Sequence, residues 1–587
     1  MNDKIDSTLP KGVRIAYASN FVATKYDKIF IFIGLALVSW IMSWEKNIVN
    51  TITPTVTSEF NANGLTGVLT TVLGVMQTAL QPMYSKFADM TGRTITYTVS
   101  LLFFMVSFIA MACATDYNAL IGGQVIYALG YSGLYILGPI LIGDSISLVN
   151  RTLVLAFYNF PLIINLFAGG AAAQRMLETA GWRWAFGHIS IVIFVASIPI
   201  MIVLWSIQRK AKRAGLIKYE SADNQIDGPK NFTYFFRKLV WVCNEIDLIG
   251  SIFLLAGFFL ILLPLILANT WGGWQSPVVI GCLVGGGVTW CIFAFWESKI
   301  APKPIFPMKK WDTYNPLYGT AIVFLIWAIN GMMDLQYFLT YLKVTRRVKS
   351  DIATYLERGF NASNVVLAVP IGYAVKRTRR WRPFVWIGSC FAVLGSGLLI
   401  PARSSHSPDV FIVMSQIILG TGCAFMNYPT SVGIQGSVPR EDVAIVIAFF
   451  EVGVAIASSI GSTIAGAIWN SVLPGLFEKY VPGEYDYAKI TGSIPVALAL
   501  PEEQYKGVVK AYDAAMHILS IVAVCMGGLA FLLATQLKGY ALDQNKQEQE
   551  ETLDQNETIF VQNIMNEKQL EQEQAYDNNK HDSHKNV

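Results

Sequence analysis

Charge is what this sequence has least of. Asp, Glu, Lys and Arg make up only 14% of its 587 residues, against about 25% in soluble globular proteins. The formal net charge of +4 is small and says little about partners. Histidine is scarce too: there are five, scattered, and His581 and His584 sit in a polar tail. Of the cysteines, Cys113, Cys282, Cys291, Cys390, Cys423 and Cys525 lie inside apolar runs and Cys243 just before one. No pair has metal-ligand spacing, and they read as small polarizable packing residues. These absences argue against a His/Cys metal centre. The lack of a phosphate loop or a nucleophile triad argues against an enzyme. Residues 1–28 are mixed polar, and the first apolar run is long, without an A-x-A-like site. It reads as an uncleaved first span.

Long apolar runs fill the sequence instead. The chain is 53% hydrophobic, with a mean hydropathy of +0.45. Runs of about 18 residues or more are long enough to cross a bilayer. About fourteen are present, at 29–56, 66–85, 95–115, 119–143, 153–172, 185–205, 247–268, 277–296, 316–338, 353–374, 384–401, 410–434, 441–468 and 514–535. Lipid offers backbone groups no partners, so spans are helices or closed barrels. Runs this continuous lack the alternation of barrel strands. The expected class is an all-α polytopic membrane protein.

Lys and Arg placement sets orientation. Lys86 and Arg93 follow the second span, Arg151 the fourth, Arg209, Lys210, Lys212 and Arg213 the sixth, and Lys299, Lys303, Lys309 and Lys310 the eighth. Lys376, Arg377, Arg379, Arg380 and Arg382 follow the tenth. These loops are expected on the cytoplasmic side, with both termini. One loop disagrees: Lys343, Arg346, Arg347 and Lys349 fall on the expected outer face. It is a short loop outvoted by its neighbours, a basic vestibule that focuses anions, or the sign of a missed span. The stretch 206–246 is polar, with a candidate surface helix around FTYFFRKLVWVCN. The tail beyond about Lys538 is too poor in apolar residues to bury a core.

Ionisable groups inside spans are expensive and are functional candidates. Glu45 beside Lys46, Asp334 and Glu451 are candidates for proton coupling, since a carboxylate in low dielectric can exchange protons near neutral pH. Asp144 ends the fourth span, as a cap or gate contact. In the turn PMYSKFADMTGRT, Asp89 and Arg93 flank Gly92, and Asp89 is placed to pair with a cation of a neighbouring helix, a breakable latch between two halves. Small-residue runs such as AGGAAA and GVAIASSIGSTIAGAIWN allow close helix packing. The polar stretch 470–513 carries Tyr480, Tyr485, Tyr487, Tyr505 and Tyr512 and reads as a long connection, the kind that is usually functional in a compact bundle.

The turn at Asp89, Gly92 and Arg93 resembles the loop signature of the major facilitator superfamily, with Ser85 where that signature has Gly and Met90 and Thr94 in place of basic residues. EKNIVNTITPT resembles the first-span motif of the fourteen-span drug:proton antiporters, with Glu45 for Asp. GQVIYALGYSGL, GDSISLVNR, AGWRWAFGHISI, EIDLIGSIFLLAGFFLILLPLILA, ESKIAPKPIFP, QGSVPREDVAIVIAFF and GSTIAGAIWNSVLP, in that order, resemble the fungal siderophore-iron transporters. This resemblance covers roughly residues 28–536.

The resemblance implies a major facilitator fold of about fourteen transmembrane helices. An N-terminal tail (1–28) and a six-helix half (29–205) precede the cytoplasmic loop 206–246 and two extra linker helices (247–296). A second six-helix half (316–535) follows, with 470–513 extracytoplasmic, and then a disordered cytoplasmic tail (536–587). It implies proton-coupled uptake of ferric siderophore, with iron arriving already chelated and no resident cofactor. Expected gating residues are Asp89, Gly92, Arg93, Asp144 and Arg151. Expected substrate contacts are Trp44, Gln124, Tyr127, Tyr131, Tyr158, Asn159, Asn330, Gln336, Tyr337 and Asn427 within spans, and Tyr485 and Tyr487 in the connection. As a set they suit a bulky polar chelate. Glu451 stands where siderophore carriers are expected to have an uncharged residue. A glutathione or drug exchanger of the same fold, a haem importer and a non-transporting receptor remain alternatives. The expected partners are the small-molecule substrate, protons and the bilayer of the plasma, endosomal or vacuolar membrane.

Overall fold

A computed structural model describes residues 11–59, 66–214, 237, 240–241, 243–267, 271–301, 311, 313–333, 337–348, 350–439, 442–492 and 494–542. Among them no strand forms, and one isolated bridge joins Arg380 to Ala541. The first half is built from α2 (Lys25–Glu59), α3 (Thr66–Thr91), α4 (Arg93–Ala112), α5 (Tyr117–Ser145), α6 (Leu148–Asn159) and α7 (Leu162–Arg213), preceded by α1 (Lys11–Val22). α7 breaks at Gly181, with φ 76° and ψ 165°. Gly92, with φ 98°, separates α3 from α4. Glycine takes these positive-φ turns without the penalty a Cβ imposes.

Two helices, α8 (Leu248–Leu267) and α9 (Pro277–Phe295), lead to the second half. This comprises α10 (Asn315–Met333), α11 (Tyr337–Arg346), α12 (Ser350–Glu357), α13 (Gly359–Thr378), α14 (Arg382–Ala402), α15 (Asp409–Gln435) and α16 (Val443–Tyr480). Two short helices, α17 (Tyr487–Gly492) and α18 (Ile494–Leu498), precede α19 (Glu502–Thr535). The halves meet where α3 and α5 pack on α16, and where α6 packs on α13 and α15. α8 lies on α3 and α16, with α9 outside it.

Eleven stretches of the described residues are long and apolar enough to cross a membrane, and one of them, Leu148–Arg213, is broken at Gly181. α3 and α13 fall below that measure, and each carries buried polar groups, Gln81 and Ser85 in one and Ser363 and Asn364 in the other. The bundle is inverted relative to a soluble protein. On α4, Leu101, Phe104 and Phe108 are buried, while Leu102, Val106 and Ile109 are about half exposed or more, at 57%, 50% and 53%. Such an apolar outer stripe is a lipid-facing surface.

Three expectations change. Residues 11–22 are not simply tail: α1 packs on α3, α5 and α7, burying Val13 and Ala18. The polar stretch after the sixth span opens with helix, since α7 runs to Arg213. The connection 470–513 is mostly helix. α16 continues to Tyr480 and α19 begins at Glu502, because Leu473 and Phe477 on one, and Val508, Tyr512 and Ala515 on the other, are buried at helical spacing. The proposed surface helix at 232–244 lies largely outside the described residues.

Candidate substrate and proton site

α5 is buried through most of its length, including Gln124 and Tyr127 on one face. Tyr131 and Tyr135 continue that face at four-residue spacing, so their rings stack above one another. Ring centroids lie 5.4 Å apart for Tyr127 and Tyr131 and 5.6 Å for Tyr131 and Tyr135. The Tyr127 hydroxyl donates to Glu45 Oε2 of α2 at 3.3 Å. The Tyr135 hydroxyl donates to Glu451 Oε2 of α16 at 3.0 Å, across the seam between halves. Glu45 is fully buried, and its Oε1 has no partner among the described residues. Glu451 is half-buried, and Lys46 is exposed.

Around Glu45, Trp44 Nε1 donates to His188 Nε2 at 3.3 Å, and Trp40 Nε1 donates to Asn165 Oδ1 at 2.9 Å. Tyr158 packs against Gly138 of α5, where a Cβ would lie 2.4 Å from its hydroxyl. Three amide oxygens expected to line the site, Gln124 Oε1, Asn330 Oδ1 and Asn427 Oδ1, are buried without a partner among the described residues. They are free acceptors for a ligand with donors or bound water. Asn159 instead donates to the Leu155 carbonyl at 3.2 Å, a bond within its own helix. Asp334 and Gln336 lie outside the described residues.

At the basic end of the bundle, Arg93 joins two acids. Its Nη1 lies 2.5 Å from Asp89 Oδ1 and its Nε 2.8 Å from Asp144 Oδ2. All three belong to the first half, so these bonds lock the ends of α3, α4 and α5 together. They do not by themselves form a latch between halves. A contact that does cross is Arg151 Nη1 to Gln435 Oε1 at 3.1 Å, with Arg151 Nη2 on the Gly143 carbonyl at 2.6 Å. α1 lies beneath this cluster, and Asn20 Nδ2 donates to the Asp144 carbonyl at 2.7 Å. The chain after α19 returns here as a strap. Lys538 and Asn315 exchange two bonds of 2.9 Å, and Leu542 N donates to the Arg379 carbonyl at 2.9 Å. Order therefore extends past Lys538, further than composition suggested.

At the opposite end the expected tyrosines join an aromatic cluster. Tyr337 lies 5.2 Å from Trp469, Trp469 stacks on Tyr512 at 5.1 Å, and Phe477 touches Tyr485 and Tyr487 at 5.9 and 5.2 Å. Partial burial pushes the Tyr487 phenol above its ordinary value near 10. The basic loop is also anchored. Arg346 reaches Asp409 at 2.5 Å, and Arg347 lies over the Tyr505 ring at 4.0 Å. Asp513 accepts from Tyr341 at 2.6 Å and from Ser405 Oγ at 2.7 Å.

Tyr135 is not among the expected contacts, although its four-residue spacing from Tyr131 points to it. Nor is His188, an ionisable group inside a span. No three His, Cys, Asp or Glu side chains converge among the described residues.

Comparison with known proteins fits this arrangement to a family. The family model described as Major Facilitator Superfamily matches residues 35–462. The chain belongs to the major facilitator superfamily. Siderophore iron transporter mirC of Emericella nidulans is 28% identical to it over 548 residues, covering 92% of this chain and 88% of that protein. Siderophore iron transporter 1 of Schizosaccharomyces pombe is 28% identical, covering 85% and 80%. Low affinity heme transporter str3 of the same yeast is 26% identical, covering 84% and 79%. Among solved structures, a bacterial homologue of iron transporter ferroportin in the outward-facing state aligns over 85% of this chain and 99% of that one, at 12% identity and a TM-score of 0.49. Superfamily membership and the apolar helices make this an integral, multi-pass membrane protein.

Proposed function

We propose that this chain is a secondary transporter that takes up ferric siderophore together with protons by alternating access. One observation carries the reading: each half contributes a membrane-embedded carboxylate, Glu45 and Glu451, and both meet one tyrosine-lined face of α5 at the seam. Relatives named as siderophore iron transporters over most of their length support the substrate class. In this reading, α3 and α13 and the break at Gly181 bring the eleven apolar stretches to fourteen crossings. The basic end and both termini face the cytoplasm, and the connection before α19 faces outward.

In the proposed cycle the outward-facing state takes a chelate and a proton. A bare carboxylate is costly to seal into a dry interior, and a proton on it lowers that cost. Gln124, Asn330 and Asn427 offer acceptors and the α5 tyrosines offer stacking surface, a match to a bulky polar chelate. The Arg151–Gln435 contact then breaks, and the halves rock to release substrate at the basic end. Asp89, Arg93 and Asp144 keep the first half rigid through that movement.

The test is growth of a yeast strain deleted for its own siderophore transporters and expressing this chain, with single ferric siderophores as sole iron source. Growth on at least one of them is expected. Growth on haem alone would move the reading to haem import, which the relative named as a haem transporter motivates.

A further inference from the structure

The seam between α6–α7 and α13 is closed along its length. Near the basic end, Gly372 lies so close to α6 that a Cβ would sit 2.8 Å from the Leu153 Cα. Midway, Ala156, Ala368 and Tyr428 are buried together. At the far end Arg358, the residue before α13, donates from Nη1 to the main-chain carbonyl of Leu166 in α7. α13 is 20 residues long, and an α-helix rises about 1.5 Å per residue, which puts this bond about 30 Å from the basic end. Both partners are held in place. The Arg358 carbonyl accepts from Ala362 N at 3.0 Å, in the first turn of α13. Asn165, beside Leu166, exchanges two bonds with Trp40, accepting from its Nε1 at 2.9 Å and donating to its carbonyl at 2.7 Å. The Leu166 carbonyl is thereby fixed to α2, the helix that carries Glu45.

We propose that Arg358 is the latch that closes the outer end of the transporter, the counterpart of Arg151 at the basic end. The inference rests on the alternating-access reading and names the side chain that must let go when the outer end opens. The two arginines reach in opposite senses. Arg151 of the first half bonds Gln435 of the second, and Arg358 of the second half bonds Leu166 of the first. Each offers its charge to an uncharged oxygen. A guanidinium stays protonated in proteins, so the donor never switches off, and its hydrogen bond is stronger than one between neutral groups. Breaking it leaves no carboxylate stranded in the seam, the costly outcome when a buried ion pair is split. The ion pairs of Arg93 with Asp89 and Asp144, and of Arg346 with Asp409, lie within a single half. Those pairs hold a half together, whereas the two arginine bonds to uncharged oxygens join the halves and can be undone.

The experiment measures two spin-label distances in the purified full-length protein. One pair of labels sits at the positions of the exposed Glu178 and Ile352, at the outer end, and the other on the basic ends of α5 and α16. Arg358→Met keeps an apolar stem and removes the donor. It should raise the ratio of long to short outer distances about tenfold, the effect of losing one hydrogen bond from a charged group. It should also lower the share of long distances at the basic end, because the two ends open in alternation. Arg358→Lys keeps a donor for the single carbonyl and should retain the short outer distances. The proposal is overturned by outer distances unchanged in Arg358→Met, by long distances that rise at both ends, the mark of general loosening, or by Arg358→Lys behaving as Arg358→Met. Alternating access fails separately, if Gln435→Ala lengthens both pairs.

Discussion

Arg93 shows what a single side chain holds in this protein. It is buried, and two carboxylates from two other helices close on different nitrogens of its guanidinium. Removing one member of a buried charge cluster strands the rest, at a cost of about 3–5 kcal/mol. Arg93→Ala should therefore lower the melting temperature of the detergent-solubilised protein sharply. Arg93→Lys should recover little, because an ammonium cannot present the Nε and Nη1 donors to two acids at once. A melting temperature unchanged by Arg93→Ala would remove this cluster from the fold's support. Residues of this kind were legible in sequence because a charge inside or beside an apolar run stands out. Their partners were not: nothing in spacing showed that Arg93 would reach Asp144, 51 positions away, or that Tyr135 would close on an acid of the other half.

Helices were legible where apolar content alone decides, and blurred where amphipathic ends carry on past the bilayer-like core. The stretch around 470–513 is the clear case. Its glutamates and lysines hide a second pattern, with Phe477 and Tyr512 fully buried on facing helices. Phe477 also carries Tyr485 and Tyr487. Deleting a buried Phe side chain costs about 3–5 kcal/mol. Phe477→Ala should raise amide hydrogen exchange across residues 481–501 while leaving α2 to α5 unchanged, and exchange no faster than in the unaltered protein would show that the segment is held by other contacts. If that segment grips substrate, replacing Tyr485 and Tyr487 together with Ala should raise the apparent KM for ferric siderophore more than it lowers the maximal rate. An unchanged KM would reduce the segment to a connector. Small residues matter at the same scale. Gly331 faces Ser458 so closely that a Cβ would sit 2.3 Å from its carbonyl oxygen. Gly331→Val should cost about 1–3 kcal/mol by overpacking, read as a lower melting temperature.

At the scale of the whole molecule, the two halves touch along α3 and α16, and along α6 and α13. They are pinned at the basic end by Arg151 and Gln435. Gln435→Ala removes the acceptor that crosses the seam. Spin labels placed on the basic ends of α5 and α16 should then report a larger share of long distances, and an unchanged distribution would take this bond out of the gate. The arrangement of halves was visible beforehand only through resemblance, since one chain's apolar periodicity does not say which helices pair. The central claim is coupling between ferric siderophore and protons, and transport into proteoliposomes tests it most directly. With an inward proton gradient imposed, radiolabelled ferric siderophore should accumulate above its equilibrium level, and Glu451→Gln should lose the dependence on the gradient. Saturable movement of glutathione with no movement of any ferric chelate, or chelate uptake indifferent to the gradient, would contradict the account.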